Sequence, residues 1–161
     1  MKSFKNFFKL AWVQYTDKVL GGDSLFFRVR INPKYKEDKG LHAHEFEHVR
    51  HWYIVTLMAL ITSVIVTYMT TPSLLLAPVA WVFFVGYSGL IYNFLTTVSK
   101  ACRLKAESKC FAVQLAQYPK ENFENYLSQL SVHLSEGYSL DITVTQARIS
   151  ILKEYQRNLA I

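Results

Sequence analysis

The middle of this chain lacks charge. From Trp52 to Ser99, 48 residues pass without one Asp, Glu, Lys, Arg or His. A membrane-crossing helix needs about 20 mostly apolar residues, so the stretch predicts two spans, roughly 53–69 and 74–94. The link between them is Thr70-Thr71-Pro72-Ser73, where Pro72 has no N–H to continue the first helix. A buried helical hairpin in a soluble core fits this length of uncharged sequence less well.

Glycine and proline are scarce as well, with six and four in 161 residues, and neither falls between Leu41 and Pro72. One long helix is therefore predicted to run from the polar segment straight into the first span. The two cysteines, Cys102 and Cys110, lie eight apart on one predicted helix. That is about 12 Å of helix axis, too far for a disulfide, and a reduced cytoplasmic state fits. No cleavable signal peptide is expected, because lysines interrupt the N-terminal apolar residues. Internal repeats and low-complexity tracts are lacking.

Acidic residues are the minority on both sides of the uncharged run. Residues 1–51 carry ten Lys or Arg against six Asp or Glu, and residues 100–161 carry eight against six. Lys and Arg near span ends mark the cytoplasmic side, so both termini are expected there. An anionic bilayer surface accounts for the net charge of +6. Nucleic acid is not expected as a partner, because no basic segment is interleaved with a stacking aromatic module.

Around the spans the pattern predicts a mainly α protein of one domain, in three parts. Residues 1–52 hold an N-terminal amphipathic helix, a strand and a polar helix; 53–94 form the transmembrane hairpin; 95–161 form cytoplasmic helices. In the first part, Phe4, Phe8, Ala11 and Tyr15 share one helical face and Lys2, Lys5 and Lys9 another, which suits either an interfacial helix or an ordinary surface helix. Gly21 and Gly22 break the pattern. In Leu25–Ile31, Phe27, Val29 and Ile31 then alternate with Arg28 and Arg30 at strand period. After the spans, Ser99 can cap a helix over 100–117 whose inner stripe is Cys102, Ala106, Cys110 and Val113. Phe123, Tyr126, Leu127, Leu130 and Leu134 give the next helix, closed by Gly137. Thr143 and Gln146 form a capping box for a last helix with Val144, Ala147, Ile151, Leu152 and Tyr155 inward.

Histidine is concentrated. Four of the five fall within His42–Trp52, and His44-Glu45-Phe46-Glu47-His48 is an H-E-x-x-H match. Residues four apart project from one helix face, so His44 and His48 can bind one Zn²⁺. Glu45 lies beside the metal, where its carboxylate can take a proton from activated water. A catalytic zinc commonly has three protein ligands. His51 shares the face, but seven residues span about 10.5 Å, too far to converge with His44. Glu107 is the better third ligand: a helix starting after a break at 96–99 returns it to the level of the histidines. The alternative for Glu107 is a solvated carboxylate among lysines. His51 and Trp52 read as interface anchors, His42 as a residue where the helix begins, and His133 as a surface residue.

With these residues the sequence resembles a gluzincin. Residues 30–52 are similar to the strand, connector and H-E-x-x-H helix of small zinc-peptidase-like proteins of phage and bacteria. Ala106–Gln114 (AESKCFAVQ) is similar to their ligand helix, which carries the third-ligand role to Glu107. The order of zinc helix, hairpin and ligand glutamate also resembles the membrane zincins. Those have an Asp four residues after the ligand Glu, where this chain has Phe111. The resemblance implies a membrane-anchored zinc metallopeptidase that acts on a peptide or protein, with Glu45 as general base. Leu25–Ile31 would pair an extended substrate by edge addition. His42, Arg50, His51 and Tyr118 are candidates for substrate or transition-state contacts. The alternative is a non-catalytic membrane protein, with a structural zinc site or none, that binds a protein partner.

Overall fold

The computed structural model describes residues 10–70 and 90–159. Three short strands precede the helices: β1 (Trp12–Tyr15), β2 (Gly22–Leu25) and β3 (Arg28–Ile31). Their order is β1-β3-β2, with β1 parallel and β2 antiparallel to β3. β3 is central because Val29 and Ile31 are fully buried, with Val49 of the next helix, under Val13, Leu41, Phe46 and Tyr53. Each such side chain contributes roughly 1.5–3 kcal/mol by leaving water. β2 has poor strand formers in Gly-Asp-Ser, and pairing holds it: Asp23 stands opposite Arg30 and accepts its guanidinium.

Several expectations change here. The predicted N-terminal helix does not extend to Tyr15, since the β-favouring Trp-Val-Gln-Tyr pairs with β3 as a strand; residues 1–9 lie outside the described residues. Leu25–Ile31 is not one strand but the end of β2, a turn at Phe26–Phe27, and β3. Phe27 is consequently 51% exposed rather than inward with Val29 and Ile31. The predicted break is there: Gly21 ends the bend after β1, and Gly22 opens β2. β3 has neighbours on both sides, so edge addition cannot occur on it.

α1 (Lys39–Thr70) is one continuous helix of 32 residues, about 48 Å long. It is long and apolar enough to cross a membrane, and only 11% of its most apolar window is buried among the described residues. A soluble core helix would be mostly covered. Two of its hydroxyls bond back to the helix, Thr62 donating to the Met58 carbonyl and Ser63 to that of Leu60, as suits an apolar solvent. Residues 71–73 of the predicted link and most of the second predicted span lie outside the described residues, and 90–98 are helical.

The backbone breaks at Ser99, whose side chain caps α2 (Lys100–Leu115) by accepting from Cys102 N–H. Arg103 secures the bend by donating to the carbonyls of Thr96, Thr97 and Tyr138. The buried face of α2 is rotated from the predicted stripe: Cys102 is exposed, whereas Glu107, Cys110, Phe111, Gln114 and Leu115 face in. Bulk decided this, because Phe111 and Leu115 bury more surface than Cys102 and Val113. α3 (Phe123–Gly137) and α4 (Val144–Leu159) complete a core of Phe111, Leu115, Leu127, Leu130, Leu134, Leu140, Ala147 and Ile151. Thr143 and Gln146 make the reciprocal capping bonds. Val144, predicted inward, is exposed in the first turn of α4.

Candidate metal centre

α1 and α2 pack side by side, and three nitrogen and oxygen atoms meet between them. His44 and His48 are one turn apart on α1, and their Nε2 atoms are 3.3 Å apart. Glu107 of α2 brings Oε2 to 3.5 Å from His44 Nε2 and 3.3 Å from His48 Nε2. Zinc bonds of about 2.0–2.1 Å in tetrahedral geometry separate the donor atoms by about 3.3–3.4 Å, so this triangle has the dimensions of one face of such a site. Glu107 Oε2 is buried without a hydrogen bond. A buried carboxylate oxygen with no donor is costly, and a cation at the triangle's centre would relieve it. The donor set fits zinc.

Cys110, one turn after Glu107, adds a sulfur that the sequence analysis left in a packing stripe. His44, His48 and Cys110 form a group that can hold a metal ion, their donor atoms all within 4.8 Å of one another. Burial pushes the Cys110 thiol up to about 11. Burial also opposes charge on His48, but the Cys110 sulfur and the Glu107 carboxylate outweigh it and raise its pKa well above the ordinary value. For Glu107, burial is outweighed by the adjacent His44 and His48 rings, which hold its carboxyl well below the usual carboxylate range. The edge of Phe111 packs against the His44 ring, with centroids 4.5 Å apart.

Glu45 is 4% exposed and turns from the triangle towards β2. A Cβ at Gly22 would come within 2.7 Å of its Oε1, so glycine there makes the space that the carboxylate fills. Burial raises the Glu45 pKa, and His44, His48 and Ser24 pull it back. A raised carboxylate pKa is what a proton acceptor near neutral pH needs.

These groups border a cavity of about 250 Å³. His44, Glu45, His48, Glu107 and Tyr138 line it together with Gly22–Ser24 and the rings of Phe26, Trp52 and Tyr92. Tyr138 lines the cavity beside Glu107; burial, then the charges of Glu107 and Glu45, raise its pKa far above an ordinary phenol, so it keeps its proton. Tyr138 follows the last residue of α3, and no sequence signal marked it.

The other candidates lie elsewhere. His42 Nε2 sits 2.9 Å from the Lys36 carbonyl, away from the cavity. Tyr118 donates to Asp38 and accepts from Gln114, and its ring packs where a Cβ at Gly40 would stand. Arg50 and His51 join Lys109 around Glu47, a carboxylate only 2% exposed that the sequence analysis left unassigned. That cluster ties α1 to α2, and none of its four residues lines the cavity. His133 is exposed on α3 against Phe111 and Tyr138.

No protein-family model, curated protein or solved structure matches this chain.

Proposed function

We propose that this chain is a membrane-anchored zinc metallopeptidase, with His44, His48 and Glu107 as ligands and Glu45 as general base. The observation that carries this reading is the triangle of donor atoms at tetrahedral spacing, with an unliganded, buried carboxylate beside it on an open cavity. When bound, zinc would supply a Lewis acid that polarises a carbonyl and acidifies water. The chain's own residues do the rest. The Glu45 carboxylate accepts a proton from water in the cavity and passes it to the departing amine nitrogen. The Tyr138 hydroxyl is the donor on the wall for negative charge on the attacked carbonyl oxygen. An extended peptide pairs with β2, whose outer edge lies beside the cavity and has no strand partner among the described residues.

Glu45→Gln keeps size and packing but cannot take the proton. Zinc content and melting temperature should match the wild type, while hydrolysis of a peptide library in detergent falls by about 10²–10⁴. Undiminished cleavage in Glu45→Gln rules out this mechanism.

Cys110 favours a second reading. As a fourth ligand it would close the site, as in structural zinc centres, and the chain would then be a non-catalytic membrane protein that binds a partner. A cobalt-substituted protein separates the two, since thiolate ligation adds a charge-transfer absorption that the open site lacks.

In the membrane, α1 and the uncharged sequence after it form a two-span hairpin with both termini cytoplasmic. Support comes from the length of α1 and the basic balance of both arms. Protease access to tags at each terminus in sealed vesicles should be identical; opposite exposure contradicts the hairpin.

A further inference from the structure

The turn between β2 and β3 is chemically odd for a surface hairpin. Leu25 pairs with Arg28, so the loop is the two residues Phe26 and Phe27. Phe26 has φ +57, in the left-handed region where two-residue hairpin loops normally carry Gly, Asn or Asp. Here two phenylalanines take the places of those polar turn residues. Phe27 is 51% exposed and Leu25 42%.

The start of β1 extends this apolar patch. Trp12 N–H donates to the Phe27 carbonyl at 2.8 Å, and Trp12 and Leu10 are 65% and 60% exposed. The patch joins α1 where its uncharged run begins. Phe26 and Phe27 lie 5.8 and 6.3 Å from the Trp52 ring, centroid to centroid, and Tyr53 donates to the Leu10 carbonyl at 3.0 Å. Just beyond, Leu57, Met58 and Ile61 stand exposed on α1. Trp and Tyr at such a boundary mark the headgroup level of a bilayer. Arg28 follows Phe27 directly, in β3, and a cation beside such a patch suits anionic lipid.

We infer that Leu10, Trp12, Leu25, Phe26 and Phe27 form a membrane-contacting surface that enters the headgroup–acyl boundary beside Trp52, in the same bilayer that α1 crosses. The occupant is lipid. This inference rests on the membrane reading above and deepens the proposed activity. Phe26 and Trp52 also line the cavity, so this membrane contact puts the cavity next to the bilayer surface. His48 lies four residues before Trp52, about 6 Å along the helix axis. The substrate class that follows is a polypeptide cut next to its own membrane anchor, rather than a free soluble peptide.

The test uses the full-length protein with Cys102→Ser, leaving Cys110 buried and unlabelled. An environment-sensitive fluorophore is placed in turn at Phe27→Cys, Leu25→Cys, Leu20→Cys and Met58→Cys. Leu20 is 97% exposed near the opposite end of the sheet, and Met58 reports the span. In phosphatidylcholine–phosphatidylglycerol vesicles, lipids spin-labelled high on the acyl chain should quench the probes at 27 and 25 several-fold more than the probe at 20. Deep spin labels should quench the probe at 58. Probes at 27 and 25 that stay as water-exposed as the one at 20, while 58 is quenched, overturn the inference and leave the span intact. Blue-shifted but unquenched probes at 27 and 25 overturn it in favour of a protein partner. An unquenched probe at 58 removes the membrane reading itself.

Discussion

At the scale of the residue, burial among cations decides how His51 titrates. Glu47 accepts Arg50 and lies 3.7 Å from Lys109 Nζ and 3.4 Å from His51 Nε2. With two cations already on one anion, a charge on His51 would be surplus. Burial first, then Lys109, His48 and Arg50, lower its pKa to about 3. An unfolded histidine titrates near about 6.5. Between these values the unfolded chain binds a proton that the folded chain refuses, so stability is complete above about 6.5 and falls with pH towards about 3. Each pH unit in that window costs on the order of 1 kcal/mol. The melting temperature in detergent should therefore drop on acidification below pH 6.5, and His51→Gln should flatten that drop. Equal acid sensitivity in His51→Gln and wild type would show that His51 is not the group responsible.

Residues also show what the sequence could disclose. His44, Glu45 and His48 were legible because four-residue spacing fixes a shared helix face whatever surrounds it. Glu107 was legible because a helix length and a break suffice to bring it level with them. Glu47 was not: it lies within the motif, and its burial depends on Lys109, which arrives from another helix. Cys110 was noticed for its size and not for its sulfur, since its distance to His48 depends on how α2 is rotated. Gly22 was read as a break, because nothing local shows that a carboxylate 23 positions later needs the missing Cβ.

At the scale of the element, caps and periodicity were readable and strand pairing was not. Ser99, Thr143 and Gln146 act within three residues of themselves, and each makes the expected bond. β1 and β2 exist through β3, and the favourable contact there, Asp23 with Arg30, lies across the sheet. The bend from the helix ending at 98 into α2 is another non-local device. Arg103 gathers three carbonyls, from Thr96, Thr97 and Tyr138, at 2.6, 2.6 and 3.1 Å. Hydrogen bonds to a charged group contribute about 1.5–3 kcal/mol. Arg103→Ala should lower stability by that order and speed amide exchange around 96–100. Arg103→Lys should recover only part, because one ammonium cannot serve three carbonyls held apart. A melting temperature unchanged in Arg103→Ala would mean that the bend is held by other contacts.

At the scale of the whole molecule, a sheet and a bundle grip one long helix from two sides. β2 presses on Glu45, α2 delivers Glu107 and Cys110, and the same helix continues into the uncharged run. Mainly helical architecture and a membrane-length helix follow from the uncharged run, which needs no tertiary information to read. The central claim is that His44, His48 and Glu107, rather than Cys110, hold the metal. It is tested most directly by the zinc content of detergent-purified protein and three variants. The account predicts about one Zn²⁺ per chain in the wild type, none in His48→Ala, strong loss in Glu107→Ala and full retention in Cys110→Ser. Zinc lost from Cys110→Ser but kept in Glu107→Ala, or no zinc in the wild type, would contradict it.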